Sequence, residues 1–169
     1  MKRSKIILII GVFLFWFAIQ SFSQIVLPEV KVTASNYKYL NSVDHKELAA
    51  PVKMVEQYAA SYDIKSSEFY QEEYDTYFVS FYIPDGQILA TYDKDGKLLR
   101  TAEKFNNVKI PRAVAETVAK KYPGWTIAKD VYLVSYYEAS DQVNKKYKLV
   151  LENGTKRMKI KTNEQGEIL

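Results

Sequence analysis

The sequence predicts an α+β fold of two tandem helix-plus-antiparallel-meander repeats, with the helices packed on one face of the sheet. Two amphipathic segments each open at a proline and repeat an i,i+4 apolar stripe: Met54, Tyr58 and Tyr62 after Pro51, then Val114, Val118 and Tyr122 after Pro111. Such a stripe marks a helix with one packing face, and the matching order in the two halves marks a repeat. Extended segments rich in aromatic and β-branched residues follow each helix. Each half also carries two glycine turns, Asp85-Gly86 and Asp95-Gly96, then Asn153-Gly154 and Gln165-Gly166. Asp-Gly and Asn-Gly between alternating segments are hairpin signals, because tight turns that suit strand twist need positive φ.

At the start of the chain, Lys2, Arg3 and Lys5 precede a 14-residue apolar run over 6–19, with small residues at Ser21 and Ser23. This is the pattern of a secretory signal peptide over residues 1–23, cut before Gln24. The run falls short of the about 20 apolar residues a span needs, so an uncleaved anchor is only the alternative. The expected location is the periplasm or the extracellular space, with no stable membrane insertion after cleavage. The three cations before Ile6 leave with the signal, and the remaining 21 Lys+Arg face 20 Asp+Glu. That balance gives no ground for a nucleic-acid partner. No cysteine is present, so an exported chain of this size must rely on a buried apolar core.

Residues 24–43 read as a lead-in: 25–32 has the composition of a strand, restricted to an edge by Pro28, and 35–42 is polar and expected to be flexible. The first repeat, 44–105, opens with Asp44 and Glu47 spaced as a capping box, then a helix from Pro51 to about Tyr62. Extended segments are expected at 69–74, 77–83 and 87–92. The second repeat, 106–169, has its helix within 110–125, where Pro111 suits a first turn and Pro123-Gly124 a stop. Its extended segments are 126–137, 146–152 and 155–162, with a polar loop at 139–145.

Alternation places Tyr77, Val79, Phe81 and Ile83 on one strand face and Phe78 and Tyr82 on the other. In the second repeat Tyr132, Val134 and Tyr136 oppose Val131, Leu133 and Tyr137. Both faces are apolar or aromatic, yet the helices need only one. Phe78, Tyr82, Tyr132 and Tyr136 are therefore candidates for an open, protein-binding face. The competing expectation is that the lead-in or a long loop covers them. Arg157, Lys159 and Lys161 alternate with Met158 and Ile160, which makes them a candidate anion-binding strand or a plain solvated face.

The inventory for catalysis is poor. His45 is the single histidine, no cysteine nucleophile exists and no glycine-rich phosphate loop occurs. Asp93-Lys94-Asp95-Gly96 looks like the front of a calcium loop but lacks its closing acid and reads as a turn. No enzyme, metal or cofactor is expected.

The strings IPRAVAETVAKKYPGW, ILATYDKDGKLLR and YKLVLENGTKRMKIKTNEQGEIL resemble the β-lactamase-inhibitor-like, PepSY-like proteins of Bacteroidetes-type envelopes. The resemblance covers residues 68–169 and leaves out the lead-in. It implies tandem helix-plus-sheet repeats and a secreted or periplasmic site; the expectation of an envelope or extracellular protein as partner comes from the aromatic strand faces. It carries no catalytic residue and does not imply inhibition of a β-lactamase.

Overall fold

The computed structural model describes residues 34–44 and 47–169. The expected signal peptide, the strand at 25–32 and His45 lie outside the described residues. Three helices, α1 (Ala34–Val43), α2 (Ala50–Ser61) and α3 (Arg112–Lys121), accompany six strands. These are β1 (Thr76–Ile83), β2 (Gly86–Asp93), β3 (Leu98–Asn106), β4 (Thr126–Tyr137), β5 (Gln142–Asn153) and β6 (Lys156–Thr162). They form one antiparallel sheet in chain order, with α3 on the connection between β3 and β4. The fold is α+β, with a three-strand meander in each half, preceded by α1 and α2 in the first and by α3 in the second, and the helices on one face.

The core lies between that face and the helices. Ile88, Ala90, Tyr92, Phe105, Tyr132, Val134, Tyr136, Tyr147, Leu149 and Leu151 supply the sheet side; Tyr39, Val43, Val52, Val55, Ala59, Val114 and Val118 supply the helix side. Tyr132 stacks on Tyr147 with centroids 4.7 Å apart, and Tyr136 meets Tyr39 edge-on at 5.3 Å. Rings in such contacts add about 0.5–1.5 kcal/mol beyond their burial. The tyrosine surplus is thus largely core material.

Four expectations are corrected. Residues 35–42 belong to α1, whose Asn36, Tyr39 and Val43 share a buried face. Asn36 supplies the reason. Its Nδ2 donates to the Ala60 carbonyl at 3.0 Å and the Gly96 carbonyl at 3.2 Å, and its Oδ1 accepts from Leu98 N at 2.8 Å. Polar composition hid a side chain that ties three segments together.

α2 buries a different stripe from the one expected. Val52, Val55, Glu56, Ala59 and Ala60 face inward, Tyr62 is half-buried, and Met54 and Tyr58 are each 51% exposed. The alanines allow close approach at the helix end, where the last four carbonyls have no partner within the helix. Tyr92 Oη donates to the Ala59 carbonyl at 2.5 Å, and Asn36 takes the one at Ala60. Large i,i+4 residues were a poorer guide than the small ones beside them.

The helix start expected at Asp44 is also displaced. α2 begins at Ala50 without a side-chain cap; Asp44 pairs with Lys53 at 3.0 Å, while Glu47 Oε2 accepts from Arg112 N at 3.3 Å. A carboxylate at the positive end of α3 is favourable there.

Finally, 69–74 is not a strand. The third strand of the first half is β3, and the β4–β5 loop is confined to 138–141, because 142–145 already pair with β4. Asp93 to Gly96 is a hairpin turn, with Asp93 Oδ1 accepting from the backbone of Asp95 and Lys97.

Candidate docking face

The register decides which side chains share the uncovered face. Phe78 pairs with Thr91, Thr91 with Arg100 and Arg100 with Tyr137. Tyr82 continues through Gln87, Lys104, Leu133 and Lys146, and Val131 through Lys148 and Lys161. All of these lie opposite the helices. Phe78 is 61% exposed and Tyr82 71%. Leu89 and Tyr137 are exposed beside them, and the Arg100 guanidinium sits 5.8 Å from the Phe78 ring centroid.

Tyr132 and Tyr136 do not belong to this face, which corrects half of the aromatic set. Tyr132 pairs with Phe105, Phe105 with Gly86 and Gly86 with Ile83, so it shares the side of Ile83. Both tyrosines are enclosed by the core. Alternation within each strand was legible in the sequence; the phase between β1 and β4, set by the strands between them, was not.

The two sets of candidate residues converge instead. Arg157, Lys159 and Lys161 lie on the same open face as Phe78 and Tyr82, at its opposite edge. Eight cations populate this face: Arg100, Lys104, Lys129, Lys146, Lys148, Arg157, Lys159 and Lys161. Its carboxylates are two, both at strand ends. Asp93 is occupied by its turn, and Glu152 Oε1 holds Arg157 Nε at 2.5 Å. The six lysines form no ion pair among the described residues. Lys148 and Lys161 stand directly opposite each other, an arrangement that destabilises a sheet when nothing neutralises it.

Two depressions lie on this open face. One, of about 540 Å³, lies over the middle of the sheet between Leu89, Ala102, Leu133, Asn144 and Lys146. The other, of about 320 Å³, has Val131 and Val150 between Lys129, Lys148, Lys159 and Lys161.

A polar cluster that sequence reasoning missed sits under the helices. Glu103 on β3 accepts from Tyr39 Oη at 2.8 Å and Thr101 Oγ1 at 2.6 Å, and its side chain hydrogen bonds Glu56 of α2. Burial pushes the Glu56 carboxyl up to about 9; the neighbouring Glu103 charge adds to this and Lys145 opposes it. Burial also raises Glu103, against the lowering effect of its bonds from Thr101 and Tyr39. A protonated Glu56 donating to Glu103 satisfies this geometry. Two carboxyls sharing a proton can activate water when a cleft admits it. Here both are at most 3% exposed, and the shallow dent beside Leu40, Asp44 and Lys53 reaches Glu56 alone. The pair joins α2 to β3. The Thr101, Glu103, Phe105 alternation was its available signal.

Among the described residues no three His, Cys, Asp or Glu side chains gather to hold a metal, and no helix is long and apolar enough to cross a membrane.

No family model matches the chain, and no curated protein does. Among solved structures, the chain is similar to a DUF2874 family protein from Bacteroides uniformis ATCC 8492, at 13% identity and a TM-score of 0.35, over 56% of this chain and 68% of that one. It is also similar to a BLIP-like protein from Bacteroides fragilis NCTC 9343, at 14% identity and a TM-score of 0.31, over 84% of this chain and 86% of that one. Description and source agree with the resemblance seen in the sequence. At these TM-scores they add nothing to the architecture, which rests on the chain's own strand register.

Proposed function

We infer that this chain is an exported, non-enzymatic binding module that docks a protein partner through the open face of its sheet. The observation behind this reading is the composition of that face: exposed Phe78, Tyr82, Leu89 and Tyr137 beside unpaired lysines, without a free carboxylate. Exposed aromatic rings supply contact area at low entropy cost. Cations around them steer and orient a partner more than they tighten it. The partner that fits presents an apolar projection within an acidic rim.

Affinity capture from envelope extract tests this with wild type and two variants whose folding is checked by circular dichroism. Phe78→Ser with Tyr82→Ser is expected to lose the captured protein at any salt concentration. Lys148→Glu with Lys159→Glu is expected to lose it too, and wild-type capture to weaken at high salt. Retention of the same protein by both folded variants overturns the reading.

The depression between Lys129, Lys148, Lys159 and Lys161 favours a second reading, an anionic envelope glycan held at the basic strand 156–161. Titration with an anionic polysaccharide separates the two. Binding that survives the aromatic changes and disappears with Lys159→Glu supports the glycan; flat titrations at low salt remove it.

A further inference from the structure

The two edges of the sheet are built differently. β6 carries Lys156, Arg157, Lys159 and Lys161 in seven residues, and the chain end folds over it: Thr162 bridges Ile168, and Leu169 N donates to the Lys161 carbonyl at 2.9 Å. Charge and cover are two ways of preventing an edge strand from recruiting another. β1, reading Thr-Tyr-Phe-Val-Ser-Phe-Tyr-Ile, has no charge and, among the described residues, no segment over its edge. It holds no charged residue, and among the described residues its backbone pairs with β2 alone. Alternate N–H and C=O groups along the strand therefore point away from β2 and have no partner among the described residues. Tyr77 is buried against Tyr70 and Tyr74, but beyond it the side chains are under-covered: Phe78 and Tyr82 are exposed on one face, and Val79, Phe81 and Ile83 are only half-buried on the other.

We propose that β1 pairs antiparallel with β1 of a second copy of this chain, across a two-fold axis at Ser80. The strand is palindromic in character about that residue. Antiparallel partners must lie on the same sheet face, so only registers joining like faces are allowed. Centred on Ser80, the pairing sets Phe78 against Tyr82 of the second copy, Val79 against Phe81 and Tyr77 against Ile83, each occurring twice by symmetry. Aromatic and aromatic–β-branched cross-strand pairs are favourable ones. The ladder ends at Pro84, which has no N–H to give. The product is one continuous sheet of twelve strands with aromatics at its middle and lysines at both wings. This does not depend on the open face being a docking surface.

The absence of native cysteine makes the register directly testable. Opposed residues in an antiparallel pair have Cα atoms about 4.5–5.5 Å apart, within disulfide range. Under mild oxidation, Ser80→Cys alone is expected to give a covalent dimer. Phe78→Cys and Tyr82→Cys are each expected to stay monomeric alone and to cross-link when mixed. Sedimentation of the wild type should show a monomer–dimer equilibrium, weakened roughly tenfold or more by Ser80→Lys, which opposes two charges at the axis. A wild type that remains monomeric at every concentration, with Ser80→Cys cross-linking no faster than an exposed control at Gln87→Cys, overturns the proposal.

Discussion

Glu56 is a carboxyl group 2% exposed, and its protonation has a measurable consequence. With the folded group raised to about 9 from an ordinary 4.5, the native state holds a proton that the unfolded chain releases. Its contribution to stability is complete below about pH 4.5 and is lost progressively as pH rises towards 9, at about 1.4 kcal/mol per pH unit at most. Glu56→Gln keeps the donor to Glu103 and removes the titration. Urea denaturation across this range should show the variant overtaking the wild type at alkaline pH, with a flatter profile; parallel profiles would remove Glu56 as the source. Gly86 illustrates what the sequence could say at this scale. Asp85-Gly86 announced a turn, and a turn is there, but Pro84 and Asp85 occupy its centre, with Ile83 opposite Gly86. Gly86 has no positive φ and is needed for space, since a Cβ would lie 2.2 Å from the Phe105 ring. The residue type was legible; its reason depends on β3, which only the tertiary structure brings alongside.

α1 shows the same limit at the scale of an element. Five of its ten residues are Ser, Asn or Lys, its first turn has no acid and its last turn no base, so propensity alone gave no helix signal. What holds it is tertiary: Asn36 and Tyr39 bond to α2, β3 and the β2–β3 turn. α3 was legible because Val114 and Val118 coincide with its amphipathic stripe and Pro123-Gly124 with its end. α2 was legible in position and not in facing, since its buried side contains a glutamate that pattern reading assigns to solvent. Asn36→Ala tests the tertiary account. It leaves the buried N–H of Leu98 and carbonyl of Ala60 without their partner, at about 1–3 kcal/mol for an unsatisfied group. Lower thermal stability should come with faster amide exchange concentrated in α1. Unchanged exchange there would mean that α1 is held by apolar packing alone.

At the scale of the described molecule, one face of the sheet is closed by helices and buries an acid pair, while the other is open and carries six lysines without an ion pair. Acidic groups are not scarce overall; apart from Asp93 and Glu152 at strand ends, those described lie on the helices, in the loops and in the core, and leave the open face positive. Such separation has a cost within the free protein, clearest at Lys148 and Lys161, which oppose each other across β5 and β6. Lys161→Glu converts that pair to an attractive one, a change of about 0.2–1 kcal/mol for a cross-strand pair at low salt. The variant should therefore unfold at a higher temperature than the wild type in dilute buffer, with the difference shrinking as salt screens both states. If the open face exists to meet an anionic surface, the same substitution should weaken partner capture. Stability and binding would then move in opposite directions for a single residue. A variant both less stable and fully competent in capture would show that these lysines are spaced for solubility and that the arrangement of charge on the sheet has no bearing on recognition.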